Sequence, residues 1–225
     1  MEQTVPKSDN TIILKGFILT GTLLLAVFVG AQLLSALKLS MGLRFFITRI
    51  VFWVWLAIIY IYVAKKERQP FLLWPEKVYS FGFYILSVIG ILLLILILAA
   101  TTVVILRPFG LLKASAAFSL MRNLSIPLKL LGIITAGVVE ELIFRGYMIP
   151  RLMKFFKNEH LPIIISTLLF GLMHYGYGTL INVLIPIIIG FVFAYHYYKY
   201  RNLKILIICH LLIDLNALFT TLGKH

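Results

Sequence analysis

Long apolar runs dominate this chain, and short polar pieces separate them. Seven runs predict membrane-spanning helices, at residues 12–37, 45–64, 79–106, 126–149, 161–176, 179–199 and 203–222. A helix needs about 20 apolar residues to cross the hydrocarbon core of a bilayer. Helix is also the state that satisfies every backbone group within its own segment, where no water is at hand. The piece "GLLKASAAFSLMR", residues 110–122, is too short to span comfortably. It reads as an interfacial amphipathic helix or as part of an eighth, re-entrant element. The expected fold class is therefore all-α: a polytopic membrane helical bundle of about seven transmembrane helices, in one integrated membrane domain. No internal repeat and no low-complexity tract interrupts it.

Composition sharpens this reading. Of the 225 residues, 61% are hydrophobic, more apolar surface than a water-soluble domain needs. The first run is longer than a signal-peptide core and lacks a clear cleavage site, so it is read as a retained span. A net charge of +13 raises the question of nucleic acid. The 21 basic residues lie mostly in short loops between spans, where the positive-inside bias and anionic head groups account for them. Membrane lipids are the expected partners and nucleic acid is not. With one cysteine, Cys209, no disulfide can form within the chain.

The loops also suggest an orientation. The segments 65–77, 151–157 and 199–204 are basic, and the turn "HYGYG" at 174–178 carries no lysine or arginine. Seven spans then put the N-terminus and those three loops in the cytoplasm, with the basic stretch from Arg107 to Lys129 running against the rule.

The candidate chemistry lies in the acids. Of eight acidic residues, Glu2 and Asp9 fall in the N-terminal tail and Glu67, Glu76 and Glu159 in loops. Glu140, Glu141 and Asp214 remain inside apolar spans, where an ionisable group costs roughly 2.5–3.5 kcal/mol and reads as functional. Glu141 and Arg145 are four residues apart, share a helix face and can pair. Glu140 points about 100° away around the helix, free for chemistry. The same spacing recurs at Phe170 and His174 in "FGLMH", and at His210 and Asp214 in "HLLID". Each feature has a bland reading: a structural ion pair, an interfacial histidine, a packing hydrogen bond between helices. Three polar faces in four consecutive spans argue against all three being bland. His196, among tyrosines, reads as an aromatic-belt residue, and Cys209 as a small apolar filler.

A carboxylate and two imidazoles converging in a low-dielectric pocket suit amide hydrolysis. A buried glutamate can take a proton from water and return it to the leaving amine. His174 could hold that water, and His210 could donate a hydrogen bond to the developing oxyanion, with Asp214 orienting it. Glu140, His174 and His210 are equally a plausible ligand set for zinc, with water in an open position. Residue types alone leave both open.

In their order and separation, "EELIFR" (140–145), "FGLMH" (170–174) and "HLLID" (210–214) resemble the CPBP family. This is the group of CAAX prenyl-protein proteases and bacteriocin-processing or bacteriocin-immunity proteins, also called Abi. The resemblance covers about residues 126–220. It implies a CPBP-like catalytic core over 126–222, with 1–125 a variable transmembrane scaffold that carries no motif. It further implies a cavity among the core helices, open toward the cytoplasmic side. By motif position Glu140 matches the water-activating glutamate, and Glu141 with Arg145 the supporting pair. His174 matches the second-motif histidine, and His210 with Asp214 the pair facing the oxyanion. Asp214 departs from the asparagine of the eukaryotic prenyl-protein proteases, and an ionised aspartate there would repel an oxyanion. The reading that follows is an intramembrane endopeptidase, glutamate-dependent or metal-dependent. It would act on a membrane-associated substrate or a small peptide or leader, in a bacterial plasma membrane. The alternative is a non-enzymatic bacteriocin-immunity or regulatory binding protein. A proton-coupled transporter would also use buried carboxylates and histidines, but predicts repeats that the sequence lacks.

Overall fold

The structure is a computed structural model and describes residues 10–115, 121 and 123–222. Among the described residues there are seven helical rods and no strand. The rods begin with α1 (Asn10–Ala36), α2 (Met41–Tyr62) with a wide π turn at Val63–Glu67, and α3 (Phe81–Leu106) closing in a 3-10 turn. The fourth rod starts as α4 (Ile126–Thr135), passes through π segments Ala136–Glu140 and Leu142–Met148, and ends as α5 (Ile149–Leu152). Then come α6 (His160–Met173) with a 3-10 turn at His174–Tyr177, α7 (Ile181–Tyr200) and α8 (Leu203–Leu222).

Each predicted run falls on one rod. Four helices, Asn10–Leu34, Met41–Glu67, Phe81–Phe109 and Ile181–Tyr200, are long and apolar enough to cross a membrane. This is an integral membrane protein. Of the other rods, α6 has 14 residues, about 21 Å at 1.5 Å each, against a hydrocarbon core of about 30 Å. The interfacial helix expected over 110–122 lies partly outside the described residues, which omit 116–120 and 122; residues 111–115 are irregular.

The fourth rod is the centre of the bundle. Residues 143–152 are buried without exception, Arg145 and Arg151 included. The outer helices α1 and α3 keep large apolar side chains outward; Leu86 on α3 is 73% exposed, as suits contact with lipid. Helix α2 runs in the same direction as the central rod. Phe45 packs on the bare backbone of Gly132, and Trp53 Nε1 donates to Thr135 Oγ1 at 3.1 Å. Further on, Trp55 meets Phe144 edge-on. Helix α8 runs the opposite way, with Leu203 beside Gly146 and Leu211 against Gly137. A Cβ on Gly137 would stand 2.8 Å from a Leu211 methyl, so only glycine admits α8 this closely. Ser166 on α6 donates to the Phe144 carbonyl at 2.9 Å and ties the fourth wall on.

Arg151, expected in a basic loop, is fully buried at the end of the central rod, and Glu67 is buried in the π turn that ends α2. Arg151 Nε donates to Glu67 Oε2 at 2.7 Å, and its other nitrogens donate to the carbonyls of Pro70, Phe71 and Tyr147. The Tyr147 hydroxyl donates to Glu67 Oε1 at 3.2 Å. The chain has ended a helix with a buried ion pair because the guanidinium's fork can satisfy three carbonyls as well as the carboxylate. Glu76, the other supposed loop acid, accepts from the Leu203 backbone N–H at 2.9 Å and so caps α8. Asn202 Oδ1 accepts from Ile205 N at 3.1 Å at the same helix start.

Candidate active site

The central rod turns its polar residues into one place by being locally wider than an α-helix. Glu140 closes the first π segment, Glu141 stands between the two, and Arg145 lies within the second. Such wide turns carry i→i+5 bonds, are rare, and are found disproportionately at functional sites.

Glu141 and Arg145 form a fully buried ion pair, Nη1 to Oε1 at 2.9 Å. The arginine is held on three further sides. Its Nη2 donates to the Gly190 carbonyl at 3.3 Å, and its guanidinium lies 4.2 Å from the Phe170 ring centre and 5.5 Å from that of Phe193. The carbonyl is reachable because α7 has no side chain there: a Cβ on Gly190 would come within 3.5 Å of the Arg145 nitrogen and 3.2 Å of the Phe170 ring.

The same Glu141 oxygen takes a second bond. His210 Nδ1 lies 2.8 Å from Oε1, so α8 is attached to the rod through this carboxylate. The other face of the imidazole looks along its own helix to Asp214, Nε2 to Oδ2 at 3.8 Å. This is an electrostatic contact beyond hydrogen-bond range. His210 is 6% exposed, whereas the Asp214 side chain is 33% exposed and stands on the open side of the cluster.

His174 comes from the end of the short α6. Its Nδ1 donates to the Phe170 carbonyl at 2.8 Å, which leaves Nε2 as the face toward the site. Phe170 links the three polar faces. Its ring lies 5.0 Å from that of His174 and 6.1 Å from that of His210, besides carrying Arg145. Fully buried itself, it forms an apolar floor under the polar groups.

Glu140 differs from its neighbour in making no ion pair among the described residues. It is 4% exposed, and its Oε2, like that of Glu141, is buried without a hydrogen-bond partner. The charged groups that act on it include His210, Asp214, Arg49, Glu141 and Arg145. All six residues singled out in the sequence thus lie in or beside one cluster. Arg49 on α2 is the residue that sequence reasoning passed over. It is an electrostatic neighbour of Glu140, His174 and Asp214 together. Its signal was available, since a cation in the middle of an apolar run carries the same implication as an acid.

A zinc ion would need three side chains around one point. Among the described residues no three His, Cys, Asp or Glu side chains are grouped that way. The Nδ1 atoms of both histidines are already bonded, which leaves Nε2 as the ring nitrogen open to a ligand.

A helical bundle with membrane-length helices and a buried carboxylate–imidazole cluster defines an integral membrane protein with an intramembrane polar site. Residues 122–216 match the family model described as type II CAAX prenyl endopeptidase Rce1-like. That model is of the CPBP, or Abi, family, and residues 122–216, 95 of the 225, are similar to it. No curated protein and no solved structure matches the chain.

Proposed function

We propose that the protein is an intramembrane endopeptidase in which Glu140 activates the attacking water. The observation that carries this reading is the contrast between two adjacent glutamates. Glu141 Oε1 is bound by both Arg145 and His210, while the buried Glu140 makes no ion pair among the described residues; Oε2 of each is without a hydrogen-bond partner. A carboxylate held near a scissile bond without a competing partner can take a proton from water and return it to the leaving amine. His174, with Nδ1 fixed on a carbonyl, offers Nε2 to the same water.

His210 would serve the oxyanion. The Glu141 carboxylate takes the Nδ1 proton, and a second proton on Nε2, which faces Asp214, can be donated to the tetrahedral oxygen. Glu141 and Arg145 then act by holding His210 and the rod in register. We assign the substrate to membrane-associated proteins, small peptides or leaders. We further assign the core to 126–222, and the setting to a bacterial plasma membrane with the N-terminus in the cytoplasm.

The test uses purified protein in nanodiscs with a quenched-peptide library, comparing wild type with Glu140→Gln, with and without a strong chelator. Cleavage by wild type alone, unaffected by chelator, supports the reading. Cleavage that is lost with chelator and restored by zinc replaces glutamate-activated water with a metal mechanism. Full biological function in cells carrying Glu140→Gln rejects the enzyme in favour of a binding role.

A further inference from the structure

We infer that Arg49, on the motif-free N-terminal part of the chain, is a positioning residue of the site. It compensates the charge of Asp214, so that the His210–Asp214 pair can face a developing oxyanion. This rests on the endopeptidase reading above.

Arg49 is an unusual residue to keep in an apolar helix. Its guanidinium lies over the Phe45 and Phe52 rings, 4.8 and 4.9 Å from their centres. It makes no ion pair among the described residues, and its Nε is buried without a hydrogen-bond partner. An arginine held by aromatic faces alone, at membrane depth, is expensive unless its charge is used.

Helix register shows where it is used. Along α2, Phe45 meets Gly132 and Trp53 bonds Thr135, so Arg49 stands between those two contacts. Along the antiparallel α8, Leu211 meets Gly137. Asp214 is three residues, or nearly one turn, further toward the start of α4. Arg49 and Asp214 therefore flank the central rod at the same level. Arg49 accordingly acts on Asp214, Glu140, His174 and Tyr177.

Charge arithmetic supplies the role. The cluster holds three carboxylates, and Arg145 is taken by Glu141. Among the described residues Arg49 is then the fixed cation acting on both Glu140 and Asp214. An aspartate beside an oxyanion is repulsive when ionised, and the field of a guanidinium close behind it offsets that repulsion in a low-dielectric site.

The experiment is a double-mutant cycle on the full chain in nanodiscs: wild type, Arg49→Gln, Asp214→Asn and the double variant, with Arg49→Lys as the charge-preserving control. We expect Arg49→Gln to lower kcat about 10-fold or more when Asp214 is present and less than about threefold in the Asp214→Asn background. Arg49→Lys should recover most of the loss. The thermal unfolding of the same proteins, which needs no substrate, should show the same coupling. Equal losses from Arg49→Gln in both backgrounds, in kcat or in unfolding, overturn the inference. If wild type cleaves nothing and the unfolding coupling persists, the charge compensation stands and the protease reading fails.

Discussion

His210 Nδ1 and Glu141 Oε1 meet at 2.8 Å, on the same carboxylate oxygen that receives Arg145 at 2.9 Å. One oxygen thereby joins three helices' worth of structure: the central rod, α8, and through the Arg145–Gly190 bond α7. Removing one member of a buried charged network leaves the others uncompensated, at a cost of about 3–5 kcal/mol. Glu141→Gln should therefore lower both the unfolding temperature and peptide cleavage. Glu140→Gln should abolish cleavage and leave the unfolding temperature almost unchanged, because its Oε2 gives up no hydrogen bond. Thermal unfolding in detergent, run beside the peptide assay, separates the two. Equal thermal losses would contradict the division of labour.

The second buried pair should behave as structure alone. Arg151 binds Glu67 and three carbonyls at the far end of the rod, and the active-site cluster makes no bond to it. Arg151→Met should destabilise the protein by about 3–5 kcal/mol. Cleavage per folded molecule at low temperature should stay within about threefold of wild type. Limited proteolysis of the 68–80 loop is the local check. It should quicken in Arg151→Met, since the Pro70 and Phe71 carbonyls lose their donor.

Gly190 sets how closely α7 approaches Arg145. A methyl group there meets the Phe170 ring at 3.2 Å and the guanidinium at 3.5 Å. Gly190→Ala should displace α7 by a few tenths of an ångström, and Gly190→Val should cost about 1–3 kcal/mol through overpacking. Activity should fall in the order glycine, alanine, valine. An unchanged rate in Gly190→Val would show that the Arg145–Gly190 contact is not needed.

Glu76 offers a pH test outside the membrane. Its carboxyl is held above the ordinary glutamate range, chiefly because burial disfavours the charge, against the lowering effect of the Leu203 N–H bond and Lys204. With the folded-state value raised, the folded protein holds the proton more tightly than the unfolded chain. The stability from that proton is present at acid pH and is lost as pH rises through the folded value. Glu76→Gln keeps an acceptor for Leu203 without the charge. Its unfolding temperature relative to wild type should therefore be highest at neutral pH and decline as the pH is lowered toward the glutamate range.

Much of this was legible in the sequence, because a membrane restricts the choices. Apolar runs could only be helices, and the i, i+4 spacing put Glu141 beside Arg145 without any knowledge of the fold. What the sequence hid came from two sources. Glu67 and Arg151 are 84 residues apart and read as loop charges; only the packing of α2 beside the rod buries them together. Arg49 is one of 21 basic residues in the chain, and only its place inside an apolar run marks it. The short α6 was hidden for a simpler reason. Hydropathy registers how apolar a segment is, but α6 is also short, ending where His174 begins its 3-10 turn.

The π segments at Ala136–Glu140 and Leu142–Met148 have one more consequence. A π turn is an α-helix accommodating a residue too many, so the reading frame of the rod's faces shifts on passing through it. Deleting a single residue between Ala136 and Met148 would let the rod relax to ordinary α geometry and keep every flanking hydrophobic contact available. The rod's two ends would keep their partners, Thr135 toward Trp53 at one end and Arg151 toward Glu67 at the other, while the residues of the shortened turn would lose their place in the cluster. In this sense the two glutamates occupy an insertion that the fold tolerates, and the length of the segment is as much a part of the site as the identity of its residues.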